Sequence, residues 1–193
     1  IGLLSGIALC NHLTIAALIA PMLVWGLLGG GIRSLAATHI IPMVLGGLVG
    51  VSVYAYAPLA SAQSPVLNWG HPDTAEGFWW MVSGSIYQGF TFDVRGEELF
   101  RRAVTSTDHL FAQFAFIGVL LGLAGLGLMW DRMRSLLIAH LVTVVAVVVY
   151  AITYRTIDSF LYLIPVFMLF SIWMAVGMAR MLSHVDEVRE AIR

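Results

Sequence analysis

The amino-acid sequence predicts an all-α, polytopic transmembrane helical bundle of about five spans, with amphipathic interfacial helices in one long outer loop. Two observations carry the prediction. Hydrophobic residues make up 60% of the 193 residues and charged residues only 11%, with a mean hydropathy of +0.90, a balance no ordinary soluble domain has. The apolar residues also gather into runs near the ~20 residues a helix needs to cross a bilayer. The whole chain reads as a single transmembrane region, 1–193.

The expected spans cover 1–28, 35–57, 110–130, 135–152 and 159–179, with an outer segment over 58–109. The first is interrupted by Asn11 and His12. The second contains His39, Pro42 and the Gly46-xxx-Gly50 pair, and the third contains Gly118-xxx-Gly122; such glycine pairs let helices pack closely. Pro21, Pro42 and Pro165 are tolerated in spans where neighbouring helices satisfy the freed carbonyls. The chain opens on Ile1-Gly2-Leu3-Leu4 without a basic leader, so the expectation is a start inside a span of a longer protein, not a cleaved signal peptide.

Arginine placement sets the expected orientation. Arg33, Arg132, Arg134 and the tail after Arg180 fall on one side, which the positive-inside rule makes cytoplasmic, as in a bacterial inner membrane or its equivalent. The long segment on the other side holds six acidic residues and three arginines, a net −3. Arg155, in the turn 154–158, is a further basic residue on the outer side. A net charge of −1 gives no reason to expect a nucleic-acid partner. Cys10 is the single cysteine, which leaves no intrachain disulfide and reads as a small buried residue.

Within the long segment, Pro72-Asp73-Thr74-Ala75-Glu76 reads as a helix start, with Asp73 as N-cap and Glu76 reaching back. Trp79, Val82, Ile86 and Phe90 then recur at helical spacing and predict one amphipathic helix along the membrane surface. A turn region over 89–96 follows. The pairs Glu97/Arg101 and Glu98/Arg102 open a second helix, whose apolar face through Leu99, Ala103, Leu110 and Phe114 enters the third span without a breaker. The tail 183–193 reads as a solvated helical continuation.

Candidate chemistry concentrates in the island Ser64-Pro65-Val66-Leu67-Asn68-Trp69-Gly70-His71-Pro72-Asp73. Asn68, Trp69, His71 and Asp73 join a flat apolar surface to hydrogen-bonding groups, the combination that a sugar or lipid headgroup needs. Spacing alone leaves an interfacial aromatic belt equally open, and Trp79-Trp80 reads as belt. Asn11 and His12 lie inside the first expected span, where polar side chains face a bundle interior or a wet cavity; they mark a short break in the helix or the floor of a deep polar pocket, or else bond between helices. Arg155, Asp158 and Tyr162 stand at an outer span entrance. An arginine there can grip a phosphate, while an N-capping role for Asp158 is compatible with it. Arg101 and Arg102 are alternative phosphate ligands whose Glu partners favour a structural role. His39 and His140 read as packing residues, and no histidine spacing indicates a metal site.

Gly6-Ile7-Ala8-Leu9-Cys10-Asn11-His12-Leu13-Thr14 resembles the GLxxxNHLT stretch of a large family of polytopic membrane proteins of unknown function. The run from Pro58 to Trp80, through Asn68-Trp69-Gly70, is similar to that family's P-L/I-R-S-x-x-x-P-x-L-N-W-G-x-P-x-T segment and its continuation. The family is related to the GT-C membrane glycosyltransferases and includes the animal O-mannosyltransferase acting on plexin-type receptors. Position 60 is alanine where the family pattern has arginine. The resemblance implies the middle section of an inverting enzyme that transfers a sugar, mannose among the candidates, from a polyprenyl-phosphate donor to an acceptor hydroxyl on a protein or glycan. It places the catalytic carboxylate upstream of this chain, with Asp73 the weak candidate here. No cofactor is evident; a divalent metal fits such an enzyme without being indicated by the residues. A transporter or lipid flippase and a purely structural membrane subunit are the competing classes. Polar density on the outer side disfavours the first, and the Asn-Trp-Gly-His-Pro-Asp cluster disfavours the second.

Overall fold

A computed structural model of the chain describes residues 1–29 and 37–192. All regular structure among them is helical, in two compact units, 1–91 and 92–193. Four helical runs among the described residues are each long and apolar enough to cross a membrane: Ile40–Ser61, Gly96–Arg132, Arg134–Thr153 and Ser159–Val185. The residues of the first expected span instead form two shorter apolar helices, because His12 is extended (φ −157°, ψ 122°). The expected connection containing Arg33 and the start of the second expected span lie outside the described residues.

In the first unit, α1 (Gly2–Asn11) ends at His12, and a 3-10 turn, Leu13–Ile15, leads into α2 (Ala16–Gly29). Helix α3 (Ala37–Val51) continues through a 3-10 turn, Ser52–Ala55, into α4 (Tyr56–Ser61). Helices α1 and α3 meet backbone to backbone. A Cβ on Gly6 would run into the Gly47 carbonyl and one on Gly50 into the Leu3 carbonyl. Gly2-xxx-Gly6 therefore faces Gly46-xxx-Gly50, the small-residue packing that works without a hydrophobic driving force. The half-buried Cys10 thiol lies 3.6 Å from the Gly50 and Val51 carbonyls. Tyr54 donates to the Leu9 carbonyl at 3.2 Å.

The single surface helix expected after Pro72 is divided. Helices α5 (Ala75–Val82) and α6 (Ser85–Gln88) are separated at Gly84, whose φ of 62° lies in the left-handed region that glycine enters without steric cost. The N-cap of α5 is Thr74, not Asp73: Thr74 Oγ1 accepts from the Gly77 N–H at 3.0 Å.

In the second unit, α7 (Gly96–Arg132) is 37 residues long, and α8 (Arg134–Thr153) returns from it. A 3-10 turn, Ser159–Leu163, then opens α9 (Ile164–Ile192), which carries the tail as a continuous helix. The interfacial helix runs into the third expected span at Leu110 as expected, but it is kinked five residues further on. Ala115 (φ 53°, ψ 176°) is non-helical and kinks α7, a backbone setting that a Cβ disfavours. The core joins Val119, Met129, Leu137, Phe170 and Trp173. Helices α7 and α9 touch through glycines: the Phe170 ring lies over Gly122, and a Cβ on Gly125 or Gly177 would strike the Trp173 or Leu121 carbonyl. Trp173 Nε1 donates to His140 Nδ1 at 3.1 Å inside this core, giving His140 the packing role expected of it.

Candidate functional site

Ser61, the last residue of α4, organises the island. Its hydroxyl is buried and donates to Asp73 Oδ1 at 2.6 Å, with Asn68 Oδ1 2.8 Å away. His71 Nδ1 lies 3.3 Å from Asn68 Nδ2. The structure thus brings Asn68, His71 and Asp73 together around a serine that sequence spacing did not single out. The Ser61 hydroxyl, foremost, then the local backbone, the charge of His71 and the Asn68 amide hold the Asp73 carboxyl below the usual carboxylate range. Asp73 is exposed, so this carboxylate is ionised and open to a ligand's hydroxyl groups.

The backbone explains how such a short segment closes on itself. Gly70 (φ 77°) and His71 (φ 47°) both occupy the left-handed region. A Cβ on Gly70 would come to 2.7 Å of the Trp80 ring, and one on Gly77 would strike the Gly70 and His71 carbonyls. The first turn of α5 therefore lies directly on the island backbone. Thr74 fastens it from the other side, donating from Oγ1 to the His71 carbonyl at 3.0 Å. Trp69 meets Trp80 edge to face, with centroids 5.3 Å apart and an interplanar angle of 78°. Trp69 is 55% exposed, so the pair presents an aromatic surface beside the polar cluster. Trp80 belongs to this pair, while Trp79 is 68% exposed and stands outside it.

Asn11 and His12 stand at the break between α1 and α2, both exposed within the chain, with His12 Nδ1 2.9 Å from Thr14 Oγ1. The structure places the pair at the interruption expected in the first span.

The remaining candidates lie in the second unit. Arg155 pairs with Asp93 at 2.8 Å, both partly exposed. Asp93 is brought there because its own N–H and that of Val94 donate to the Thr153 carbonyl at 3.1 and 3.3 Å. Asp158 precedes the 3-10 turn, but its side chain makes no capping hydrogen bond, which corrects the expected N-cap. Tyr162 packs edge-on against Tyr150 and Tyr154, with centroids 5.1 and 5.3 Å away.

Arg102 has the structural role its sequence context favoured, with more partners than a helix pair supplies. Its guanidinium donates to Glu98 at 2.7 Å, the Tyr154 carbonyl at 2.8 Å, Ser159 Oγ at 2.9 Å and the Thr156 carbonyl at 3.3 Å. Arg101 pairs with Glu98 instead of Glu97, through Nε and Nη2 at 2.8 Å each. Among the described residues no group of three His, Cys, Asp or Glu side chains converges as metal ligands. Comparisons with protein-family models, curated proteins and solved structures found no match to this chain.

Proposed function

We propose that this chain is part of a GT-C-like membrane glycosyltransferase, and that the island around Ser61 is a sugar-handling surface on its extracytoplasmic side. The observation that supports this reading best is the pairing of an ionised, exposed Asp73, fixed by Ser61 beside Asn68 and His71, with the Trp69–Trp80 surface. A carboxylate and an amide can orient sugar hydroxyls, while an indole face packs on the C–H face of the ring. The same geometry narrows the role of Asp73. A carboxyl held below its usual range is a weak base at neutral pH. Asp73 therefore binds and orients, and deprotonation of the acceptor hydroxyl falls to another group.

In this proposal the donor is a polyprenyl-phosphate sugar; Arg155, taken by itself within the second unit, is a separate candidate for contact with a phosphate. The Arg155–Asp93 pair is partly solvated, and an exposed pair contributes only about 0–1 kcal/mol. A phosphate replacing Asp93 on the guanidinium would give up only that pair's contribution. Stabilising charge on the leaving phosphate is where such an enzyme gains rate.

The test uses the full-length protein with a polyprenyl-phosphate sugar donor. Asp73→Asn and Trp69→Ala should each lower kcat/KM for sugar transfer at least tenfold, whereas Trp79→Ala should leave it near wild type. Equal transfer by the Asp73 and Trp69 variants and wild type would remove the island from the site.

A further inference from the structure

We propose that the second unit carries a separate binding site for an anionic membrane lipid with a phosphate headgroup, the head lying beside Arg101 and His109 and the chain in an adjoining apolar groove. The site rests on this unit alone and holds whether or not the protein transfers a sugar.

Two cavities border one another here. A cleft of about 320 Å³ lies between α7, the end of α8 and the 159–163 turn, with Arg101, Thr105, His109 and Thr156 in its wall. A second, of about 310 Å³, continues along α7 and α9 past Ala112, Leu161, Ile164 and Phe167. His109 and Phe160 line both, with their rings 5.4 Å apart. One compartment is polar and cationic, the other mostly apolar, and they share a wall.

Charge and hydrogen bonding point to an anion in the first compartment. Its wall holds two arginines against one carboxylate, Glu98. Arg102 is spent on the turn, but Arg101 gives Glu98 only Nε and Nη2 and is 69% exposed along its side chain. Its Nη1 amino group, with two N–H donors, makes no hydrogen bond among the described residues. Thr156 Oγ1 in the same wall is buried without a hydrogen-bond partner, an arrangement native structures rarely leave unexplained. A phosphate accepts from the exposed Arg101 guanidinium, and from Thr156 once its buried hydroxyl rotates into the cleft.

The second compartment makes the ligand an amphiphile. A soluble anion would use the cleft and leave the groove empty, whereas a lipid fills both. The position along the helices agrees. The apolar run of α7 begins at Leu110, directly after His109, and that of α8 ends at Ile152 in the cleft wall. The cleft thus lies at the depth where headgroup meets hydrocarbon if these helices cross a bilayer.

The test is photo-crosslinking of the whole protein in phosphatidylcholine vesicles containing phosphatidic acid with a diazirine in its chain. Label is expected on Ala112, Leu161 or Phe167, displaced by unlabelled phosphatidic acid and not by millimolar inorganic phosphate. Arg101→Gln combined with His109→Ala should lower that labelling at least tenfold while keeping every Arg102 bond. Leu161→Gln, which leaves the charges intact, should lower it too. Label spread evenly over other exposed apolar side chains such as Ile117 and Leu120, or unaffected by these variants, would overturn the site. Displacement by inorganic phosphate alone would make it a free-anion site and overturn the lipid.

Discussion

Replacing Arg102 should loosen the entrance to α9 by an amount that can be worked out from its bonds. In Arg102→Ala the Tyr154 carbonyl and the buried Ser159 hydroxyl lose short bonds, 2.8 and 2.9 Å, to a charged donor. At the low end of the range for charged donors each is worth about 1.5 kcal/mol, or about 3 kcal/mol together. The low end applies because the Tyr154 carbonyl keeps a second donor, the Thr156 N–H at 2.9 Å. The 3.3 Å contact to Thr156 adds little, and the partly exposed Glu98 pair contributes about 0–1 kcal/mol. The assay is amide hydrogen exchange at Thr156 and Leu161, whose N–H groups bond to the Tyr154 and Asp158 carbonyls. At about 1.4 kcal/mol per factor of ten, their exchange should accelerate roughly 100-fold. Arg102→Lys offers one compact ammonium in place of the planar fork and should recover only part of the protection. Exchange in Arg102→Ala within a few-fold of wild type would refute the reasoning, since the turn would then be held by something else.

Other expectations concern the island and the helix contacts. Asp73 has a lowered folded-state pKa, so its contribution to the order of the island is present above the ordinary carboxylate range and lost as pH falls through the folded value. Trp69 and Trp80 fluorescence should therefore change on acidification, and Asp73→Asn should abolish that titration. Gly125→Ala puts a methyl against the Trp173 carbonyl and should cost at least the ~1–3 kcal/mol of an overpacked core, whereas Gly127→Ala, with nothing within 4 Å of the added Cβ, should be neutral or mildly stabilising in thermal unfolding. Trp173→Phe keeps an aromatic ring but removes the donor to His140 and the volume of the pyrrole ring, so the unpaired buried acceptor, roughly 1–3 kcal/mol, adds to the cost of a cavity, measurable in the same assay.

The sequence was most informative where hydropathy alone decides. The expected spans 135–152 and 159–179 fall inside helices Arg134–Thr153 and Ser159–Val185 because long apolar runs have no other helical partner choice. Asn11-His12 marked the interruption in the first. Local signals misled where two capping residues stand side by side. Asp73 and Thr74 are both good N-caps, and the choice fell to Thr74 because Ser61, twelve residues earlier, holds the Asp73 carboxylate. Gly84 divided the expected surface helix, a break that its apolar period through Ile86 and Phe90 concealed. The candidate cluster was legible as composition, but its organiser was not, since Ser61 looks like any serine at a helix end. Asp93 and Arg155 are 62 positions apart and meet only because α7 and α8 bring the ends of one unit together. The Gly2-xxx-Gly6 partner of Gly46-xxx-Gly50 likewise becomes visible only once the helices are paired.

Donor turnover tests the central claim most directly. The full-length protein, reconstituted in liposomes with a radiolabelled polyprenyl-phosphate mannose and a hydroxyl-bearing acceptor, should release polyprenyl phosphate as label moves to the acceptor. Asp73→Asn should slow both by the same factor, at least tenfold. Wild-type protein that releases no polyprenyl phosphate with this donor, or an Asp73→Asn variant that turns it over at the wild-type rate, would contradict the assignment of the Ser61–Asn68–Asp73 cluster to sugar transfer.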